Sequence, residues 1–378
     1  MIERHIICGN SLDVLAGMDA ESVDAIVTDP PYGLSFMGKR WDYDVPAVEL
    51  WRECLRVLKP GGHLLSFAGT RTQHRMAVNI EDAGFEIRDM IAWVYGSGFP
   101  KSLDVSKAID KAAGAEREIV GRNQNARETL GNIQICKKNG SGNITAPTTD
   151  AARQWQGWGT ALKPALEPIT VARKPFTGTV AGNVQEYGTG GLNIDGCRIM
   201  YDGDYRSPTR ADGGVLSGGI YGAGDRKIFD NALAERKGRW PANLIHDGSD
   251  EVLELMPDAA RFFYCAKASK AERDAGCETL PLGEPPASGR SKPAEGRQSP
   301  LGNPRSNFHP TVKPVALMRY LVRLVTPPGG LVLDPFCGSG STGIACVHEG
   351  FRFVGIDMQE EYCNIAQARI GATPVPLL

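Results

Sequence analysis

Several features that would assign the chain to a particular class are missing from its sequence. Nine cysteines occur, an odd number, and no two of them form a Cys-x-x-Cys pair. Zinc ribbons and redox motifs are therefore not indicated, and a reducing cytoplasm is the expected location. No run of about 18 apolar residues occurs, so we predict no membrane-spanning helix. The first ten residues do not have the pattern of a signal peptide. The histidines lack metal-ligand spacing, and we predict no metal.

A strong excess of one charge is missing as well, since the formal net charge is −2. The charges are unevenly distributed: residues 101–240 contain 20 Lys and Arg against 15 Asp and Glu, whereas the rest contains 22 against 29. A moderately basic middle fits either a surface that faces phosphates or a solvated, glycine-rich surface without a partner. The 378 residues suffice for one large domain with insertions or for two domains.

Strand and helix patterns alternate at both ends of the chain. An apolar run at 25–27 precedes an amphipathic helix at 47–58, which is followed by Lys59-Pro60-Gly61-Gly62 as a helix stop signal. Near the other end, a helix at 315–325 precedes a buried strand, a glycine-rich loop and a second strand. This alternation predicts an α/β fold in which helices cover both faces of a mixed, mostly parallel sheet.

The middle of the chain has a different composition. Residues 101–240 are rich in Gly, Asn and Thr, and their one clear strand pattern lies at 167–175. Residues 281–308 are dominated by Pro, Gly, Ser and charge, so we predict a mobile loop there. We therefore divide the chain into 1–100, 101–260 and 261–378, and we expect the two outer segments to pair into one sheet.

The segment VLDPFCGSGSTG, residues 332–343, places a glycine-rich loop between a strand and a helix. Gly338 and Gly340 permit a tight turn in which the backbone approaches a ligand closely. The next strand ends in Asp357, a carboxylate that can hold both hydroxyls of a ribose. The pattern favours an adenosine-containing ligand. The loop is not of the ATPase type, but its G-x-G-x-x-G spacing leaves a dinucleotide open.

The segment VDAIVTDPPYGLSFMGKRWD, residues 23–42, sets an acid, two prolines and an aromatic ring directly after an apolar run. With the Phe336–Gly340 loop and HPTVKP at 309–314, it resembles the β-type, permuted DNA amino-methyltransferases that use S-adenosylmethionine. The resemblance covers about residues 1–100 and 260–378. It implies a Rossmann-like methyltransferase fold with circularly permuted motif order. A target-recognition region is then expected in the middle, especially at 176–260.

The resemblance also implies roles for individual residues. The Asp29 carboxylate and the Pro30 carbonyl would accept the N–H groups of a target amine, Pro31 would keep the segment rigid, and Tyr32 would stack on a flipped-out base. Lys313 has an alternative role as the ion-pair partner of an acid. Asn10 stands where the family often has Asp, so its contact loses a charge. The residues expected around S-adenosylmethionine are Asn10, His309, Thr311, Lys313, Asp334, Phe336, Cys337, Gly338, Ser339, Gly340, Thr342 and Asp357.

Double-stranded DNA is the partner that the resemblance implies, and a homodimer is a further expectation. The residues expected to contact DNA are Lys39, Arg40, Trp41, Arg71 and Arg75. Asp at position 29 favours adenine N6 as the target over cytosine N4, where the family more often has Ser. RNA or protein amino-methylation remains an alternative, often with Asn there. Cytosine C5 methylation is rejected, because its cysteine nucleophile usually follows a proline and the chain contains no Pro-Cys dipeptide.

Overall fold

The structure is a computed structural model, and it describes residues 4–34, 42–96, 98, 102–122, 143–199, 238–255, 262–282 and 306–375. The chain forms two compact units. The larger unit comprises residues 1–96, 166–291 and 303–378, and the smaller comprises 97–165 and 292–302. Most of the predicted loop at 281–308 lies outside the described residues. Three segment assignments stay predictions: a catalytic half at 1–100, an insertion with the target-recognition region at 101–260, and a cofactor-binding half at 261–378.

The strands that the structure describes are β1 (Arg4–Cys8), β2 (Val23–Thr28), β3 (Leu58–Phe67), β4 (Glu86–Val94), β5 (Ile119–Arg122), β6 (Asn143–Thr145), β7 (Leu166–Arg173), β8 (Leu244–His246), β9 (Phe263–Tyr264), β10 (Leu331–Asp334) and β11 (Arg352–Asp357). In the described part of the larger unit, nine of them form one sheet in the order β1-β11-β10-β2-β3-β7-β4-β8-β9. Among these strands, β7 alone runs antiparallel to its neighbours β3 and β4. The mixed, mostly parallel sheet is thus confirmed.

Helices cover both faces of this sheet, because alternate strand residues supply two separate hydrophobic cores. The described helices are α1 (Ser11–Ala16), α2 (Val48–Val57), α3 (Gln73–Asp82), α4 (Val105–Ala112), α5 (Asp150–Gln154), α6 (Val180–Tyr187), α7 (Asp250–Leu255), α8 (Lys270–Asp274), α9 (Val315–Val325), α10 (Ser341–Glu349) and α11 (Glu360–Ala372). Helices α1 to α3 pack in one core and helices α9 to α11 in the other. In the part of the chain that the structure describes, no helix has the length and apolar character needed to cross a membrane.

The end of α2 differs from the sequence prediction. The helix ends at Val57, and the predicted stop signal at 59–62 instead belongs to β3. Two contacts hold this segment in the sheet: Leu58 pairs with Val23 of β2, and Gly61 N–H donates to the Lys174 carbonyl at 3.1 Å. Residues 59–62 are therefore part of a strand, because they lie beside pairing partners that are distant in the sequence.

The smaller unit is more regular than its composition predicted. It contains α4, α5 and the antiparallel pair β5–β6. Its centre is the fully buried Asp110, whose oxygens accept bonds from the Thr149 backbone N–H at 3.0 Å, the Thr149 hydroxyl at 2.8 Å and the Arg117 guanidinium at 2.6 Å. A buried carboxylate needs such hydrogen-bond partners. Because Asp110 belongs to α4 and Thr149 directly precedes α5, these bonds join α4 to the start of α5.

Candidate active site

The carboxyl ends of the parallel strands meet at one edge of the sheet, where ligands bind in open α/β folds. Asp29 directly follows β2, Asp334 ends β10 and Asp357 ends β11. The antiparallel strand β7 brings its beginning to the same edge, and Glu167 is its second residue. Four carboxylates from distant parts of the chain therefore share this edge.

Asp29 is held by two donors. Its Oδ2 accepts from Lys313 Nζ at 2.6 Å, and its Oδ1 accepts from the Tyr32 hydroxyl at 2.7 Å. Lys313 Nζ also lies 3.3 Å from Glu167 Oε2 and 3.2 Å from the Tyr32 oxygen. The solvent-exposed fractions of the Asp29, Lys313 and Glu167 side chains are 18%, 10% and 20%. The cluster is thus shielded from most of the bulk water, while each of the three side chains keeps part of its surface exposed.

The pKa values of two members of this cluster show which groups carry protons. Burial lowers the pKa of Lys313, but the carboxylates of Asp29 and Glu167 outweigh burial and leave that pKa above its usual value. Burial raises the pKa of Tyr32 well above its usual value, and the two acids raise it further. Lys313 is therefore an ammonium and Tyr32 a neutral phenol, so both are hydrogen-bond donors and neither is a base.

The Asp-Pro-Pro-Tyr loop is fixed by two residues that the sequence analysis did not single out. The fully buried Asp42 accepts the backbone N–H groups of Tyr32 at 2.6 Å and Gly33 at 3.0 Å with Oδ1, and that of Leu34 at 3.2 Å with Oδ2. The Thr72 hydroxyl donates to the Tyr32 carbonyl at 2.6 Å. Neither residue stands in a motif, so no local signal marks them.

Asp334 is almost completely enclosed, with 2% of its surface exposed. Its oxygens accept from the Thr28 and Thr342 hydroxyls, each at 2.6 Å, and from the Phe336 N–H at 3.1 Å. Burial raises its pKa to about 6, although these hydrogen bonds act in the opposite direction. The carboxyl joins β2, β10 and α10. Its expected contact with the ammonium of a bound methionine group stays a prediction, and its oxygens serve protein donors in this structure.

The glycine-rich loop follows β10 and leads into α10. Gly338 and Gly340 have φ values of +52° and +79°, in the left-handed region that glycine adopts most readily. The loop is held against β11 because Asp357 Oδ2 accepts from Gly338 N–H at 2.9 Å. Asp357 remains partly exposed, as does Phe336, whose ring centre lies 6.5 Å from that of Trp51. The glycine-rich loop and the end of β11 therefore form a partly exposed surface that contains the Asp357 carboxylate.

The HPTVKP segment lies against this loop. A side-chain carbon added to Gly338 would come within 2.8 Å of His309 Nε2. The His309 Nδ1–H donates to the Thr311 carbonyl at 2.7 Å, and the ring packs edge-on against Tyr362 at 4.4 Å. Burial lowers the pKa of His309 to about 3, so the ring is neutral. One short segment therefore supports the glycine loop with His309 and reaches Asp29 with Lys313.

The remaining predicted residues lie in different surroundings. The exposed Asn10 caps α1, where its side chain accepts from Leu12 N–H at 2.9 Å. Ser339, Cys337 and Thr342 are buried in the glycine loop and the start of α10. Arg71 precedes α3 and Arg75 lies within it, and both are exposed, whereas Lys39, Arg40 and Trp41 lie outside the described residues. Within the described ranges, no group of three or more His, Cys, Asp or Glu could hold a metal ion. The functional roles of all these residues stay predictions.

An open α/β sheet with a glycine loop, a strand-end acid and a second acid cluster defines a Rossmann-like, nucleotide-type site. The sequence profile of the N6/N4 methyltransferase family, described as DNA methylase, matches residues 23–165 and 236–368. These ranges make up more than half of the chain, and the protein belongs to this family.

Individual relatives match over very different lengths. Type II methyltransferase M.HindIII of Haemophilus influenzae is 24% identical over 326 residues, which are 86% of this chain and 68% of that protein. Type II methyltransferase M2.DpnII of Streptococcus pneumoniae is 45% identical over 64 residues, which are 17% of this chain and 24% of that protein. Escherichia coli YubD is 45% identical over 67 residues, but the match spans only 30% of its length.

Solved structures align along nearly the whole chain but at low similarity. The M1.HpyAVI–SAM complex is 17% identical with a TM-score of 0.43, and the alignment covers 97% of this chain and 98% of that one. The cytosine-N4-specific PvuII DNA methyltransferase is 15% identical with a TM-score of 0.46, covering 97% and 86%.

Proposed function

We propose that the protein transfers a methyl group from S-adenosylmethionine to the exocyclic N6 of an adenine in double-stranded DNA. One observation supports this most strongly. Asp29, whose carboxylate is shielded, directly follows strand β2, and the glycine loop follows the neighbouring strand β10. Membership of the DNA methylase family agrees with this arrangement.

The residues around the glycine loop fit the chemistry of the cofactor. Asp357 is partly exposed at the strand end, where a carboxylate can accept both ribose hydroxyls. The neutral His309 adds no positive charge beside a cationic ligand. When bound, S-adenosylmethionine supplies an electrophilic methyl group on a positively charged sulfur. The acids at this edge suit a cation of this kind.

The Asp-Pro-Pro-Tyr loop performs the protein's part of the reaction. The amine of adenine is a weak nucleophile, because its lone pair is delocalised into the ring. Asp29 and the Pro30 carbonyl accept its N–H groups and favour a tetrahedral nitrogen, which frees the lone pair for attack. Tyr32 offers its ring to the base once the base has left the duplex. Asp42 and Thr72 hold the loop in place before the target arrives.

A methyl-transfer assay tests the proposal. The purified protein is incubated with labelled S-adenosylmethionine and unmethylated genomic DNA, and the digested nucleosides are identified by mass spectrometry. We expect N6-methyladenine. Asp29→Asn, purified in the same way, controls for a contaminating host enzyme and should label DNA at least about 10³-fold more slowly. N4-methylcytosine would keep the mechanism but change the base. No label on DNA, with the cofactor still bound, would contradict the proposal and direct the search to RNA or protein substrates.

A further inference from the structure

Glu167 lies in the Asp29 cluster without an assigned role. It stands at the start of β7, and its Oε1 accepts from the Tyr95 hydroxyl at 3.2 Å. Its Oε2 lies 3.4 Å from the Tyr32 hydroxyl and 3.3 Å from Lys313 Nζ. Glu167 therefore contacts both groups that donate to Asp29.

The charges around Glu167 can be added up from the contacts of the cluster. Asp29 and Lys313 form a pair at 2.6 Å whose charges cancel. Glu167 adds a second negative charge to the same ammonium. Among the described residues, Lys267 is a further cation that interacts with Glu167, but it is exposed and lies against the Tyr95 ring, with Nζ 3.4 Å from the ring centre. The charges of Asp29, Glu167 and Lys313 alone therefore sum to one negative charge.

Methyl transfer creates a positive charge at this place. The amine lone pair forms the new N–C bond, and the electrons of the broken S–C bond stay on sulfur, which becomes neutral. The nitrogen carries the positive charge until its N–H proton passes to the Asp29 carboxylate and then to water. A fixed negative charge beside the nitrogen lowers the energy of this step, because charges interact strongly where water is excluded.

We propose that Glu167 is a positioning residue that offsets the charge of Lys313, so that the charge of Asp29 remains available to the target amine. The inference rests on the proposed function. As the target N–H groups reach Asp29, Lys313 and the Tyr32 hydroxyl turn to Glu167, which is already within 3.4 Å of both. Neither buried donor is then left without a partner.

Glu167→Gln separates this role from a merely structural one. A glutamine keeps the size of the side chain and an oxygen that accepts from Tyr95, but it removes the charge. If Glu167 only held β7 and the tyrosines together, the glutamine would serve nearly as well. Glu167→Asp keeps the charge on a shorter side chain. Glu81→Gln, on the exposed surface of α3, is the matched control for losing one negative charge.

The experiment measures kcat and both KM values on unmethylated DNA, together with S-adenosylmethionine binding by calorimetry without DNA. For Glu167→Gln we expect kcat to fall about 10- to 100-fold, with both KM values and the cofactor Kd within about threefold of wild type. Glu167→Asp should recover at least about fivefold of the lost kcat, and Glu81→Gln should match wild type.

Three outcomes would overturn the inference while the proposed function stands. They are an unchanged kcat for Glu167→Gln, an equal loss for Glu167→Asp and Glu167→Gln, and a loss explained by weaker cofactor binding. A wild-type protein that binds the cofactor but leaves DNA unmethylated would instead overturn the proposed function, and this inference with it.

Discussion

Asp29 and Asp334 lie at the carboxyl ends of β2 and β10, which pair in parallel through Ala25–Val332 and Ile26–Leu333. Asp334 is enclosed by two hydroxyls and a backbone N–H. Asp29 meets an ammonium and a phenol and keeps part of its surface open. The same residue type at neighbouring strand ends therefore has two different surroundings. Asp334 joins elements of the fold, whereas Asp29 keeps surface open for the ligand contact that we propose for it.

Removing the charge of Asp29 should have the largest effect. For Asp29→Asn we expect kcat to fall by about 10³-fold or more, because the acceptor of the target N–H groups is weakened. The dissociation constant of S-adenosylmethionine should stay within about threefold, since the glycine loop is untouched. Labelled methyl transfer and calorimetry measure the two quantities. Asp82→Asn, an exposed acid at the end of α3, is the control. An equal kcat loss in Asp334→Asn, with normal cofactor binding, would break the comparison.

Asp334 should instead make the free energy of unfolding depend on pH. Its pKa is raised from 3.8 to about 6, chiefly by burial. The protonated carboxyl therefore favours the folded state below the unfolded pKa, and this contribution is lost as the pH rises to about 6. Between about pH 4 and pH 6, the free energy of unfolding of wild type relative to Asp334→Asn should fall by roughly 1–3 kcal/mol. Urea unfolding at several pH values measures it. A difference that does not change with pH would refute the prediction.

The hydroxyls around Asp334 sharpen the comparison further. Thr342→Val keeps the shape of the side chain but removes the donor to Asp334 Oδ2. We expect a loss of about 1–3 kcal/mol at pH 7, because a buried acceptor loses a partner. Thr326→Val is the matched control: the Thr326 hydroxyl is buried and has no hydrogen-bond partner among the described residues. Urea unfolding should show little or no loss for this control. Equal losses in both variants would show that the bond to Asp334 contributes nothing.

The smallest effect is expected on the Asp29 side, from the residue that orients the loop. Thr72→Val removes the hydroxyl that donates to the Tyr32 carbonyl. We expect kcat to fall about two- to fivefold, because Asp42 still holds the loop through three N–H groups and the misplacement is small. Initial rates of methyl transfer measure this. Thr177→Val is the control, because Thr177 is exposed and follows the end of β7 that lies away from Glu167. A loss as large as that of Asp29→Asn would mean that Thr72 has a direct role.

The sequence predicted each side of this comparison to a different extent. The α9 boundaries at 315–325 and the strands that end at Asp334 and Asp357 followed from local apolar patterns. The contact of Lys313 with Asp29 joins residues 284 positions apart, and the sequence alone indicates no more than an ion pair with an unspecified acid. The sequence does not mark Glu167 as a functional residue, because the pattern at 167–175 predicts only a strand. Its importance comes from the antiparallel direction of β7, which composition does not encode.

The pairing of β2 with β10 also determines when the protein can fold. Leu331 N–H donates to Asp24, which was synthesised 307 residues earlier. At about 5–20 residues per second, roughly 15 to 60 seconds of translation separate the two halves of this contact. During that time β2 has an unpaired edge, which invites association with other chains. A chain truncated before residue 309 lacks both this neighbour and Lys313, so we expect it to aggregate rather than to fold as a smaller enzyme.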